Sequence, residues 1–243
     1  SKLKNNQFDL IIFSDIWRVY GFFLQWIDLI NLNRTIFLDG SDSEYIYPFS
    51  GHLLKRKEFI GISCVNKKSM YFKREFTINS QFNWWHRLVP KLIKKFFYFK
   101  QKNLYPISFS IPDKKIIDFK PKKLKLFVSH IVDDEVSYNL NNNAKSNYIF
   151  SNEEDYYLDI RKSKFGITTK RAGWDCLRHY EIAANGSVNC FRDLDKKPKT
   201  CAPHGLNSLN SISYSSFDDL NKKIDNLNNR DYDYLQEESL KWA

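Results

Sequence analysis

The residues best suited to chemistry lie between Lys164 and Gly186. Lys170 and Arg171 precede a stretch with helical spacing, and the free amides and dipole at a helix amino end attract an anion. Gly173 lets the backbone approach such an anion closely. The three residues together form a candidate phosphate or pyrophosphate seat. Arg178 and Glu181 are three apart and share one helix face. Arg178 could grip a diphosphate through charged hydrogen bonds while Glu181 accepts from ribose or sugar hydroxyls. The plain alternative is an intrahelical ion pair on a solvated surface.

A second candidate is the acidic loop Asp39-Gly40-Ser41-Asp42-Ser43-Glu44. A sugar hydroxyl that attacks an anomeric carbon must lose its proton, and a carboxylate within hydrogen-bond reach can take it. Asp42 or Asp39 would be that base, against the alternative of a turn whose aspartates cap local amides. His179 follows Arg178 but stands about 100° around the helix, which favours a packed or capping role. Cys176-Leu177-Arg178-His179 and Cys201-Ala202-Pro203-His204 repeat a Cys-x-x-His pattern that tetrahedral zinc accepts, yet the tight Cys-x-x-Cys knuckle is missing. Asp193-Leu194-Asp195 spells a short Asp-x-Asp of the sort that holds a divalent ion beside a nucleotide. Buried thiols and no bound metal are the expectation.

Residues 83–102 hold six Lys or Arg, six aromatics and no acid. Trp84, Trp85, Arg87, Lys94 and Lys95 make this a candidate membrane or acceptor surface, since rings settle at headgroup level and cations are drawn to anionic lipid. The same composition suits an ordinary core edged by lysines or, less well, a stacking platform for single-stranded nucleic acid.

Strands and helices alternate around these residues. Apolar runs at 8–13, 34–38, 59–63, 69–75, 122–129, 165–168 and 188–191 have strand length, and 17–32, 174–185 and the region after Ser216 have helical spacing. Ser151-Asn152-Glu153-Glu154 fits a capping box opening a helix that runs to about Lys162, and Gly186 fits a left-handed helix stop. This alternation predicts an α/β protein with parallel strands. Pro106, Pro112 and Pro121 break the pattern, which places a domain boundary near 110: residues 1–110 and residues 111–243.

Composition sets the outer limits. Of the 243 residues, 42% are hydrophobic and 16% aromatic, too many for a disordered chain. Four cysteines are too few for a disulfide scaffold, so reduced thiols and a cytoplasmic setting are expected. Neither a membrane span nor a secretory signal is read. A formal charge of +10 favours anionic partners.

The run Phe165-Gly166-Ile167-Thr168, Gly173, Arg178, Glu181, Ala183-Ala184-Asn185-Gly186 and Val188 to Asp193 resembles the nucleotide-sugar-binding half of GT-B glycosyltransferases, including exostosin-like and bacterial polysaccharide enzymes. The specific resemblance covers roughly residues 160–205, with a looser one over the first 75. It implies two Rossmann-like halves with a cleft between them, the first facing the acceptor and the second binding the donor. It also implies transfer of a sugar from a nucleotide-sugar, without a cofactor or metal, to a glycan or lipid-linked acceptor of surface polysaccharide synthesis, at the inner face of the membrane. Lys170, Arg171, Gly173, Arg178 and Glu181 would be the donor-binding residues. Many retaining members carry a second glutamate eight residues on, and here that position is Asn189. A basic nucleic-acid-binding module and a non-catalytic transferase-like partner-binding domain are the alternatives.

Overall fold

Short apolar runs become parallel strands in both halves of the chain. The computed structural model describes residues 7–44, 68–77, 80, 103–140 and 147–243. Two units result, residues 1–108 with 198–202 and residues 109–197 with 203–243. The α/β expectation holds: each unit contains a four-stranded, all-parallel sheet flanked by helices.

In the first unit, β1 (Ile11–Phe13), β2 (Thr35–Asp39), β3 (Met70–Lys73) and β4 (Leu104–Pro106) lie side by side in chain order. The register lines up Phe13, Phe37, Tyr71 and Leu104 across one sheet face. Helix α1 (Ile16–Trp26) lays Phe23 edge-on against Phe13 and Phe37, with ring centroids 5.3 and 5.1 Å apart. Each such aromatic pair adds about 0.5–1.5 kcal/mol beyond the area it buries. The expected helix over 17–32 stops at Trp26, and short 3₁₀ turns follow at Ile27–Leu29 and Leu32–Arg34. Asn31 contributes to the break, because its side chain accepts from the Asn33 amide, a local bond that competes with helix.

The second unit repeats the plan with β5 (Lys125–Phe127), β6 (Ser163–Thr169), β7 (Val188–Arg192) and β8 (Ser211–Tyr214), again in chain order. Among the described strands, neither sheet reverses its order, the feature that opens a crevice in doubly wound sheets. Helices α2 (Asp134–Asn139), α3 (Glu153–Lys162), α4 (Leu177–Ala184), α5 (Phe217–Asp225) and α6 (Asn229–Trp242) complete the unit. One core joins Val128, Ile160, Phe165, Ile167, Ile182 and Leu220 with the strand residues Val188, Cys190 and Ile212.

Two local details set the position of α4. Gly166 on β6 has no side chain, and a Cβ there would lie 2.6 Å from Ile182, so this glycine is what lets α4 rest directly on the sheet. Gly186, at φ +69°, closes α4 as expected, with Ser187 N bonded to Ile182 O and Gly186 N to Ala183 O in a Schellman turn. Helix α6 then seals the turn: Gln236 Nε2 donates to Gly186 O at 2.7 Å, Ser239 Oγ donates to Ser187 O, and Trp242 stacks on Tyr180 at 4.9 Å.

Other expectations shift. Asn152, not Ser151, caps α3, accepting from Asp155 N while its own amide reaches the Asp155 carboxylate. Asn is as good a cap as Ser, and this start frees Glu153 to bond Lys115 and Tyr157. Ser216 caps α5 as expected. Residues 198–202 leave the second half of the chain and complete the first unit, where Ala202 N bonds Arg74 O and Cys201 Sγ donates to Phe76 O. The expected strand at 59–63 lies outside the described residues. No described helix is long and apolar enough to cross a membrane.

Candidate functional site at the carboxyl edge of the second sheet

Parallel strands gather functional groups where they end. Beyond β5, the buried Asp133 accepts from Tyr214 Oη at 2.7 Å at the end of β8, from Val136 N, and from Arg192 at the end of β7. Arg192 also bonds Glu135 and donates to Ser215 O at 3.1 Å. Burial pulls the Arg192 guanidinium down, but these two carboxylates more than offset it and hold it above its ordinary range. Glu135, bonded by Arg192 and by the Phe217 amide, is held below the usual carboxylate range. A cleft of about 530 Å³ opens here, lined by Asp133, Asp134, Glu135, Lys170, Arg171 and Arg192 together with Thr169 and Asn147.

A second cleft, of about 260 Å³, is lined by residues of α3 and α4 and by the segment before α3. Arg178, Glu181 and Glu153 supply its charge, Glu153 being paired with Lys115. Tyr148, Phe150 and Tyr156 supply an aromatic wall, with centroids 5.5–5.9 Å apart. Arg178 turns to His130 rather than to Glu181, with Nη2 2.9 Å from His130 Nε2. A guanidinium only donates, so His130 Nε2 is the acceptor. Tyr156 Oη donates to Glu181 Oε2 at 3.2 Å. Burial raises the Glu181 carboxyl above its ordinary range, with Tyr156 and Arg178 opposing. Asn147 lines the first cleft and Tyr148, next in the chain, lines the second.

The structure thus divides the residues expected to act together. Arg178 and Glu181 share one cleft, whereas Lys170 and Arg171 line the other. The helix expected from Trp174 begins instead at Leu177, six residues after Arg171. The intervening chain is committed elsewhere, since Asp175 accepts from Phe109 N at 2.9 Å, and Trp174 lies under Lys170 Nζ and beside Phe191. Gly173 sits in this bend, half-buried, and lines neither cleft. His179 is packed, as expected. It stacks on Phe191 at 4.6 Å, donates through Nε2 to Trp174 O, and accepts at Nδ1 from Thr168 Oγ1. Burial lowers its pKa to about 4, which keeps the ring neutral at physiological pH.

In the first unit, Asp39 is fully buried. Its Oδ2 accepts from Tyr71 Oη at 2.6 Å and from Lys73 Nζ at 2.8 Å, and its Oδ1 accepts from Ser41 N. That carboxylate has no face open to an acceptor, so its role is to tie the ends of β2 and β3. Burial draws the Lys73 ammonium down, while Asp39 draws it up. Asp42 bonds Arg74 and remains 52% exposed. Asp15, in a left-handed conformation at φ +49°, places Oδ1 over Gly40 beside this loop. Trp84, Trp85, Arg87, Lys94 and Lys95 lie outside the described residues. Among the described residues, no group of three or more His, Cys, Asp or Glu is arranged to hold a metal, and Cys176 and Cys190 are free thiols.

Sequence reasoning missed His130, Asp133, Arg192 and Tyr148. Arg192 and Asp133 are 59 positions apart and meet only because β5 and β7 are parallel and end at one edge. The signal for them was position, just past a strand's carboxyl end. In comparisons with protein-family models and with curated proteins, no family model and no curated protein matches this chain.

Proposed function

We infer that this chain is a nucleotide-sugar-dependent glycosyltransferase of the GT-B type, with Rossmann-like units and the donor held by the second. One observation carries the reading: Arg178 and Glu181, one turn apart on α4, converge on a cleft whose other wall is aromatic. The parts match those of a nucleoside diphosphate. A base stacks on Tyr148 and Phe150, Glu181 accepts from the ribose hydroxyls, and Arg178 faces the phosphates. His130 occupies one N–H of Arg178 and fixes its direction, which leaves the rest of the guanidinium fork for phosphate oxygens. As the sugar leaves, negative charge grows on the diphosphate, and a preorganised arginine stabilises it. The first unit's Asp42 is the candidate base for a glycan or lipid-linked acceptor hydroxyl, since its carboxylate is exposed and Asp39 is sealed.

Calorimetric titration with UDP, GDP, CDP, ADP and CMP tests the reading. One nucleotide should bind selectively, and Arg178→Ala should weaken it by about 1.5–3 kcal/mol, the range of a hydrogen bond to a charged group. The stability of the variant should stay near wild type, since Arg178 is half-exposed. Absence of binding by all five nucleotides, or full affinity in a folded Arg178→Ala protein, rejects it.

A further inference from the structure

We propose that Tyr156 is a positioning residue of the nucleotide site: its hydroxyl holds the Glu181 carboxylate in place and keeps it an acceptor, so that the site reads the ribose of its ligand. This rests on the reading above and adds the residue on which the contact between Glu181 and the ribose depends.

Tyr156 stands on α3 and Glu181 on α4, 25 positions apart, and Tyr156 Oη donates to Glu181 Oε2 at 3.2 Å. No other described residue forms a hydrogen bond or ion pair with that carboxylate, which leaves Oε1 to accept from a ligand. The ring that carries the hydroxyl is fixed: Tyr156 is 7% exposed and packs against Phe150, Tyr157 and Tyr148, with centroids 5.5, 5.6 and 5.9 Å away. Burial, with the Glu181 charge adding to it, holds the phenol far above its ordinary range, so Tyr156 stays a donor throughout the neutral range. Glu181 has the opposite need, because burial favours its neutral form and a neutral carboxyl is a weaker acceptor. The groups that face it are Tyr156, Tyr157 and Glu153 from α3, Arg178 from its own helix, and Lys115 from the 3₁₀ turn Asp113–Lys115 before β5. Glu153 acts with burial. Lys115 is bonded to Glu153 and Tyr157, and Arg178 to His130, so both cations act on Glu181 without touching it. The Tyr156 bond is the direct contact that opposes burial and favours the ionised form. A ribose hydroxyl bonds an ionised carboxylate about twice as strongly as a neutral group. The contribution of Glu181 to binding is therefore present above its folded pKa and lost as pH falls through it, and the Tyr156 bond moves that loss to lower pH.

The test is calorimetric, on the full chain, between about pH 5 and 8.5, with UDP, GDP, CDP and ADP and with the 2′,3′-dideoxy form of the one that binds. The ratio of the two affinities isolates the ribose contact, since the phosphates titrate alike in both compounds. In the wild type the ribonucleotide should bind roughly tenfold more tightly at the alkaline end, the effect of one charged hydrogen bond, and this advantage should fade toward acid. Glu181→Gln, which keeps an acceptor that cannot titrate, should show a ratio that is flat with pH. Tyr156→Phe, which keeps the ring and loses the hydroxyl, should move the fading upward by about one pH unit. An unmoved profile in Tyr156→Phe overturns the proposal and leaves the nucleotide site standing, and so does a loss equal for both compounds at every pH, since the tyrosine would then only pack. Fading that persists in Glu181→Gln, or equal affinity for the two compounds in the wild type, overturns it as well. Failure of every nucleotide to bind overturns the nucleotide reading, and the proposal falls with it. Should Tyr156→Phe not fold, a ring-fluorinated tyrosine at position 156, a stronger donor of nearly the same shape, should move the fading downward, and an unchanged profile there overturns the proposal.

Discussion

Gly166→Ala is the sharpest perturbation of this design, because one methyl group is set against a helix that carries the proposed donor site. The added Cβ would lie 2.6–2.7 Å from Cδ1, Cγ1 and Cγ2 of Ile182, whereas ordinary contact begins at 3.4 Å, so about 0.8 Å (3.4 − 2.6) must be found. Cγ1 and Cγ2 are attached directly to the Ile182 Cβ, so changing the rotamer does not clear them all. Helix α4 must lift or the strand must yield, and overpacking of this kind costs about 1–3 kcal/mol. Ile182→Ala alone should cost about 2–5 kcal/mol through lost burial and a cavity. That change removes all three obstructing atoms, so the double variant should be no less stable than Ile182→Ala by itself. Urea unfolding of the four proteins reads the coupling, expected at about 1–3 kcal/mol in favour of the double variant. Additive effects, within about 0.5 kcal/mol, would show that α4 does not rest on Gly166 as described. Nucleotide affinity supplies a second readout. It should fall in Gly166→Ala more than stability explains, since lifting α4 moves Arg178 and Glu181 together.

Further expectations follow the buried charges. Lys73→Met strands the Asp39 carboxylate in a sealed site and should cost about 3–5 kcal/mol, and adding Asp39→Asn should recover part of this; equal instability of the single and double variants in urea would contradict it. Lys123, whose ammonium donates to Arg161 O and Ser187 Oγ, is drawn down to about 7 by burial. Its folded pKa lies below the unfolded value, so from about pH 7 to 10 the unfolded chain holds a proton that the folded one has released, and stability rises with pH at up to about 1.4 kcal/mol per unit. Below pH 7 both states are charged and the cost of burial is constant. Lys123→Met should lose this slope, and parallel stability curves for the two proteins between about pH 7 and 9 would reject the assignment.

Much of the second unit was legible because its signals are local. Ser216 and Gly186 each mark a helix end through bonds to residues within five positions, and β6 and β7 announce themselves by short stretches rich in Phe, Ile and Val. Misreadings arose where a distant group claimed a local one. Asp175 looks like a helix residue, but its carboxylate accepts from the distant Phe109 amide, and α4 starts three residues later than Trp174, at Leu177. Helix α6 escaped notice because many of its buried contacts are polar, Gln236 and Ser239 serving the carbonyls of Gly186 and Ser187. The site shows the same division. Arg178 and Glu181 were visible because a helix fixes their spacing, whereas the Asp133–Arg192 pair exists only after parallel strands have been aligned.

The crossing of residues 198–202 into the first unit has a consequence for synthesis. Ribosomes deliver the chain from the amino end at about 5–20 residues per second, and a domain ordinarily folds once it has emerged. Here Pro198 follows Ser108 by 90 residues (198 − 108), with β5, β6 and β7 of the other unit in between. Until that stretch arrives, the backbone carbonyls of Arg74 and Phe76 lack the partners that Ala202 and Cys201 provide. The first unit is therefore finished only after most of the second has been translated, and no single cut in the polypeptide yields both units whole.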